Sequence, residues 1–395
     1  MKDAFQQRNR ICRANTCPTI ISRTINFVTL AAAALLVSVV AARSAQAQTF
    51  TVLHEFSGPP DGASPTAHLI RDASGNFFGT TYNGGANGFG AVFVIDATGR
   101  ERVLHSFDGS IAAFPFAGLL RDGAGNLYGT LSYNIGTVFK LSTKGEETEL
   151  HVFSGTDGSD PQGDLVRDSE GNLYGTTGFG GTSDYGTVFK LNLNGTYQVL
   201  HSFTGGTDGA YPIAGVRRDA AGNLYGTASE GGDSNLGTVF KIDTTGTAAV
   251  LHSFSGSDGA NPYGTLIWDA AGNIYGVTYY GGTSNAGTVF KIDAAGKETV
   301  LHNFTDTPDG ANPVAGLIRD AAGALYGTTA HGGSSGLGTV FRVGPTGKLT
   351  FLHSFSGSDG AYPYPGLTWG ALGALYGNTN AGGTFGVGVV FKINR

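Results

Sequence analysis

One unit of about fifty residues occurs seven times in this 395-residue chain, and that repeat constrains the fold more than any single motif. Leu-His, followed one residue later by Phe, places His at 54, 105, 151, 201, 252, 302 and 353. A Val-Phe pair recurs as often, with Phe93, Phe139, Phe189, Phe240, Phe290, Phe341 and Phe391. Each unit contains four short runs rich in β-branched and aromatic residues, bounded by Gly, Asn and Asp, and no helical pattern. In the fifth unit these runs predict strands over 265–269, 274–278, 288–293 and 299–304. Asp269-Ala-Ala-Gly-Asn273 reads as a tight hairpin with Gly272 in the left-handed region. Four antiparallel strands repeated seven times predict an all-β, seven-bladed propeller. The 65 glycines agree with this, since interior Gly disfavours helix by about 1 kcal/mol each relative to Ala.

The ends predict how the ring closes. After residue 47 the chain enters on Thr51-Val-Leu-His-Glu-Phe56, an outermost strand, and it stops at Val390-Phe-Lys-Ile-Asn-Arg395, a third strand. Pairing the two completes the last blade and removes two open sheet edges.

Residues 1–47 differ from the rest. Arg8, Arg10, Arg13 and Arg23 precede an apolar run over 25–42, and Ala45-Gln-Ala47 resembles a cleavage site. This predicts a secretory signal peptide over 1–47, with a retained membrane anchor as the alternative. Both cysteines, Cys12 and Cys17, fall inside it, so the propeller over 48–395 is expected to hold no disulfide. Removing the segment's six basic and one acidic residue leaves 18 basic and 29 acidic, a net charge of −11. That balance argues against a nucleic-acid partner.

The LHxFxGxDGAxPxxGLxRDAAGNLYGTTxxGG…GTVFK pattern resembles the GloVer (Gloeo-Verruco) tandem repeat of exported bacterial "choice-of-anchor" proteins, over about 345 residues. The resemblance implies an exported repeat protein. It implies no activity, so it assigns no catalytic residue. No apolar tail or sorting signal follows Arg395, so a protein free in the periplasm or medium is expected. Kelch propellers share only the repeat length and a Gly-Gly after the second strand.

Residues present in every repeat read as scaffold. The seven histidines are expected to make interblade hydrogen bonds. Asp61, Asp157, Asp208, Asp258, Asp309 and Asp359, each before Gly, read as turn formers, since one carboxylate per loop is thin for calcium. Gly in the Tyr/Phe-Gly triplets is expected to let neighbouring backbones approach. Arg71, Arg121, Arg167, Arg218 and Arg319, replaced by Trp268 and Trp369 in two repeats, are expected to pair with the following Asp or stack on Trp. No metal or cofactor is expected.

Function is sought where the repeats differ. Two columns vary, one flanking the repeated proline and one preceding Gly-Gly, and both predict loops at one mouth of the channel. They contain Phe114, Phe116, Phe179, Tyr211, Glu230, Tyr263, Tyr279, Tyr280, His331, Tyr362 and Tyr364. His68 and Asp164 replace a repeated Gly at the start of two innermost strands. No nucleophile elbow, phosphate loop or Cys cluster is present. The aromatic columns favour a non-catalytic, monomeric binding module for a carbohydrate or surface protein. The acidic balance points to a neutral glycan. A structural or protein-interaction propeller, or a propeller lyase or lactonase with its site at the mouth, are the alternatives.

Overall fold

The computed structural model describes residues 48–110 and 113–395, so the expected signal peptide over 1–47 and both cysteines lie outside the described residues. Seven four-stranded antiparallel sheets follow one another, six of them running from the channel outward in chain order and the seventh taking its outermost strand from the start of the described chain. Blade 5 is representative, with strands Ile267–Trp268, Ile274–Thr278, Thr288–Ile292 and Glu298–Asn303. The innermost strand is shorter than the sequence suggests: only Ile267 and Trp268 pair with the second strand. Upstream of them the chain turns through Asn261 at φ +52°.

Closure is as the chain ends imply. Thr49–Glu55 pairs antiparallel with Val389–Asn394, from Thr49 opposite Asn394 to Glu55 opposite Val389. The seventh blade therefore takes its outermost strand from the N-terminal side. The seam is also packed: Leu69, Phe77 and Phe93 of blade 1 share one cluster with Val390 and Tyr376 of blade 7. Asn378 Nδ2 adds a 3.1 Å bond to the carbonyl of Ala67 across the seam.

Within a blade, the Gly of the second strand lies directly opposite the Phe of the third, as Gly276 lies opposite Phe290. A Cβ on Gly276 would stand 2.5 Å from the Phe290 ring. The same overlap recurs at Gly79, Gly129, Gly175, Gly226, Gly327 and Gly377. These glycines thus make room for an aromatic ring, not for a neighbouring backbone as expected. Phe290 in turn meets the edge of Phe254, from the preceding blade's exit, at 5.2 Å. Both rings are fully buried.

Leu-His marks a β-bulge. The register shifts there in all seven outer strands, as between Val289 and Phe290 opposite His302 and Val300. The bulged Leu301 packs into the next blade's core. His302 Nε2 sits 3.0 Å from Asp309 Oδ2. The expected interblade bond is therefore a local one, reaching six or seven residues along the connection in six repeats. His105 is the exception. Its connection offers no Asp at that place, and it meets Glu147 of the next blade at 2.8 Å.

The hairpin between first and second strands forms as predicted, with Gly272 at φ +79° and Gly272 N–H donating to Asp269 at 3.0 Å. Asp269 also accepts from Asn273 at 2.8 Å and the Tyr275 hydroxyl at 2.9 Å. Desolvation at the turn raises its carboxyl pKa, but these donors outweigh that and bring it down to about 2. Arg121, Arg218 and Arg319 lie over Phe78, Tyr174 and Tyr275 of the preceding blades. Trp268 and Trp369 meet Tyr225 and Tyr326 at tilted and edge-on angles. Arg and Trp interchange because each packs against a preceding-blade ring, a contact that differs from the expected pairing with Asp or Trp.

Deleting residues 49–55 leaves blade 7 with three strands and an open edge. The expected outcome is a melting temperature lowered by 10 °C or more, or aggregation, read by calorimetry and light scattering. An unchanged melting temperature contradicts closure by this strand.

Candidate functional site at the channel mouth

The two variable loop columns are tied together by backbone bonds. Ala260 N–H donates to Tyr280 at 2.8 Å and Tyr280 N–H donates back at 3.0 Å. Equivalent pairs join Ser159 with Phe179, Ala210 with Glu230, Ala311 with His331, and Ala361 with Ala381. In each connection the residue before the repeated proline takes a positive φ: Ser64, Phe114, Asp160, Tyr211, Asn261, Asn312 and Tyr362, all between +52° and +60°. Left-handed backbone is costly for a non-Gly residue, about 1–3 kcal/mol. Asn261 and Asn312 offset that cost with side-chain bonds of 2.9 Å to backbone carbonyls. Phe114, Tyr211 and Tyr362 cannot do so, and their rings instead turn toward aromatic neighbours.

Inside this rim lies a cavity of about 1110 Å³ that enters the channel. Seven of the residues singled out in the sequence line it: His68, Asp164, Phe116, Tyr263, Tyr279, Tyr280 and Tyr364. The other six, Phe114, Phe179, Tyr211, Glu230, His331 and Tyr362, are placed on the rim outside its lining. The structure gathers them into groups. Tyr279 stands between Tyr263 at 5.2 Å and Tyr280 at 4.6 Å. Tyr362 stacks on Tyr364 at 6.2 Å with His331 against both. Phe179 tilts onto Tyr211 at 5.1 Å. Burial raises the hydroxyl pKa of Tyr263, Tyr279 and Tyr364, so these groups stay protonated donors. Tyr280, Phe179 and Phe116 keep 42%, 43% and 38% of their surface exposed, so contact with a ligand would displace water from them.

The floor is set by the residue two before each innermost strand: His68, Gly118, Asp164, Gly215, Thr265, Gly316 and Gly366. Gly118 and Gly316 leave space that the side chains of His68, Asp164 and Thr265 occupy. His68 Nδ1 and Asp164 Oδ2 meet at 3.4 Å across the intervening Gly118. Gly118 N–H donates to Asp164 Oδ1 at 2.7 Å. A Cβ on Gly118 would stand 2.7 Å from both Asp164 and His68.

Thr265 and Arg217 also line the cavity and were not among the predicted residues. Both were visible as breaks in a column: Thr265 stands where four repeats have Gly, and Arg217 where the others have Ile70, Leu120, Val166, Ile267, Ile318 and Thr368. Tyr82, stacked on Phe114 at 4.9 Å, completes the aromatic lining in blade 1.

The chain belongs to the family of the Gloeobacter/Verrucomicrobia repeat, whose model matches residues 39–237 and 214–395. Among curated proteins none matches the chain. Its fold is similar to that of virginiamycin B lyase from Staphylococcus aureus, with a TM-score of 0.61 at 12% identity, covering 88% of this chain and all of that one. It is also similar to the extracellular domain of the hybrid two-component system BT4673 from B. thetaiotaomicron, with a TM-score of 0.58 at 13% identity over 89% of this chain and 43% of that one. At such identities the likeness is one of fold.

Gly118→Ala is expected to push His68 and Asp164 apart and to lower stability by about 1–3 kcal/mol, the cost of overpacking. Gly123→Ala, with open space around its Cβ, serves as the control and should change stability by less than about 0.5 kcal/mol. Urea unfolding of both variants checks this, and equal midpoints would contradict a closely filled floor.

Proposed function

We propose that this repeat protein is an exported binding module that takes a neutral carbohydrate at the channel mouth. The observation that carries the reading is the cavity of about 1110 Å³, in which Phe116, Tyr263, Tyr279, Tyr280 and Tyr364 surround a polar floor. Aromatic faces pack against the C–H faces of sugar rings, and tyrosine adds a hydroxyl for hydrogen bonding. The floor supplies His68, Asp164, Thr265 and Gln162 as donors and acceptors for sugar hydroxyls. A site of this kind, mostly apolar walls with a few converging polar groups, is the usual form of a small-ligand pocket. The net charge of −11 over 48–395 disfavours acidic polymers.

A second reading rests on the His68–Asp164 contact of 3.4 Å. An imidazole oriented by a carboxylate at the neck of a cavity can act as a general base, which is the arrangement an eliminating or hydrolytic enzyme needs. Turnover separates the two readings: an enzyme converts the bound oligosaccharide and loses that activity in Asp164→Asn, whereas a binding module returns the oligosaccharide unchanged.

A glycan array on the purified protein should return a neutral oligosaccharide. Tyr280→Ala and Tyr364→Ala should each weaken its binding tenfold or more by calorimetry. Tyr280→Ala should leave the melting temperature within 1 °C, because that ring is already 42% exposed. Unchanged affinity in both variants would place recognition away from the mouth.

A further inference from the structure

The outer rim of the ring carries a second kind of site. The residue opposite the end of each third strand, on the outermost strand, faces the preceding repeat's Leu-His histidine. Where it is aromatic it stacks: Tyr197 on His151 at 3.9 Å and Phe50 on His353 at 3.7 Å. At two seams it is a glutamate beside a histidine already joined to an aspartate. His54, Asp61 and Glu101 form one cluster, and His252, Asp258 and Glu298 the other. In each, one imidazole nitrogen and one oxygen from each carboxylate lie within 4.8 Å of one another. In both clusters Oε1 of the glutamate is buried and, among the described residues, has no hydrogen-bond partner. An unsatisfied buried carboxylate oxygen is costly, and here it occurs twice in the same place.

We propose that these two seams bind a divalent first-row transition ion such as Zn²⁺, through His Nε2 and one oxygen each from Asp and Glu, with water completing the shell. The His–Asp separations are 3.2 Å at His54 and 2.9 Å at His252. Two metal bonds of about 2.0–2.2 Å meeting near a right angle span such an edge. Imidazole with carboxylates suits an ion of this class, whereas Ca²⁺ takes six to eight oxygens. The aspartates are already oriented for it. Asp258 Oδ1 accepts from the N–H and hydroxyl of Ser255 at 2.9 and 3.0 Å, and Asp61 Oδ1 from Gly62 N–H at 2.7 Å. The side chains of His252 and Asp258 remain 17% and 18% exposed, which gives an ion a path in. At the third glutamate seam, His105 and Glu147 lack the aspartate and offer only two donors.

Each ion would clasp one blade to the next. The first would fasten the closing strand, through His54, to blade 1, through Glu101. The glutamates lie forty residues after their aspartates, in the next repeat, so a loop-by-loop reading sees a lone carboxylate.

The test measures zinc on the purified, untagged protein after chelator treatment and reloading. Wild type should hold two more ions per chain than the Glu101→Gln/Glu298→Gln double variant, and each single variant one fewer than wild type. Zn²⁺ should raise the wild-type melting temperature by several degrees and leave the double variant unmoved, and Ca²⁺ should raise neither. X-ray absorption on loaded wild type, which needs no variant, should show a nitrogen and oxygen shell without sulfur. No zinc bound to wild type at micromolar concentration, equal zinc in wild type and double variant, or a sulfur shell would overturn the proposal.

Discussion

The ring of Phe290 lying over Gly276 is the contact on which the rest of the architecture depends. A strand glycine is ordinarily a weakness, since it orders backbone without adding a side chain to pack. Opposite a phenylalanine it becomes a slot, and the ring covers it. Seven such slots hold seven rings at one depth, and each ring meets a phenylalanine edge from the connection that enters its blade at 5.1–5.4 Å. The clusters that result span blades: Val289 and Phe304 of one repeat pack with Leu317, Leu325 and Phe341 of the next. No blade buries its faces alone, which is why closure by residues 49–55 bears on all seven.

A scaffold held by repeated contacts leaves its loops free to differ. The seven left-handed residues before the repeated prolines hold one backbone shape whatever side chain they carry, from Ser64 to Tyr362. The backbone bonds between the two loop columns do the same. Side chains at the mouth can then change without changing the frame that presents them. The floor follows the same logic at closer quarters. Gly118 and Gly316 leave room there, and His68, Asp164 and Thr265 use it.

Much of this was legible in the sequence, because periodicity and turn chemistry act locally. The blade count, the hairpin at Gly272 and the closing strand all follow from residues near one another or from where the repeat begins and ends. Which groups face one another was not legible. The histidines meet their own connection's aspartate because a bulge re-aims them, and a bulge leaves no mark in composition. The strand glycines face rings, a matter of register. Arg218 and Trp268 do one job because both pack against a tyrosine from the preceding repeat. Thr265 and Arg217 were open to view as breaks in their columns and needed only a comparison of every column.

A double-mutant cycle on Gly276 and Phe290 tests the central contact most directly. Gly276→Ala alone should cost about 1–3 kcal/mol, because its Cβ would meet the ring. In a Phe290→Ala background, where the ring is gone, the same change should cost less than about 0.5 kcal/mol, a coupling of the size that touching residues show. Additive costs in urea unfolding would mean that Gly276 is required for its backbone and not for the ring above it, and would contradict this account.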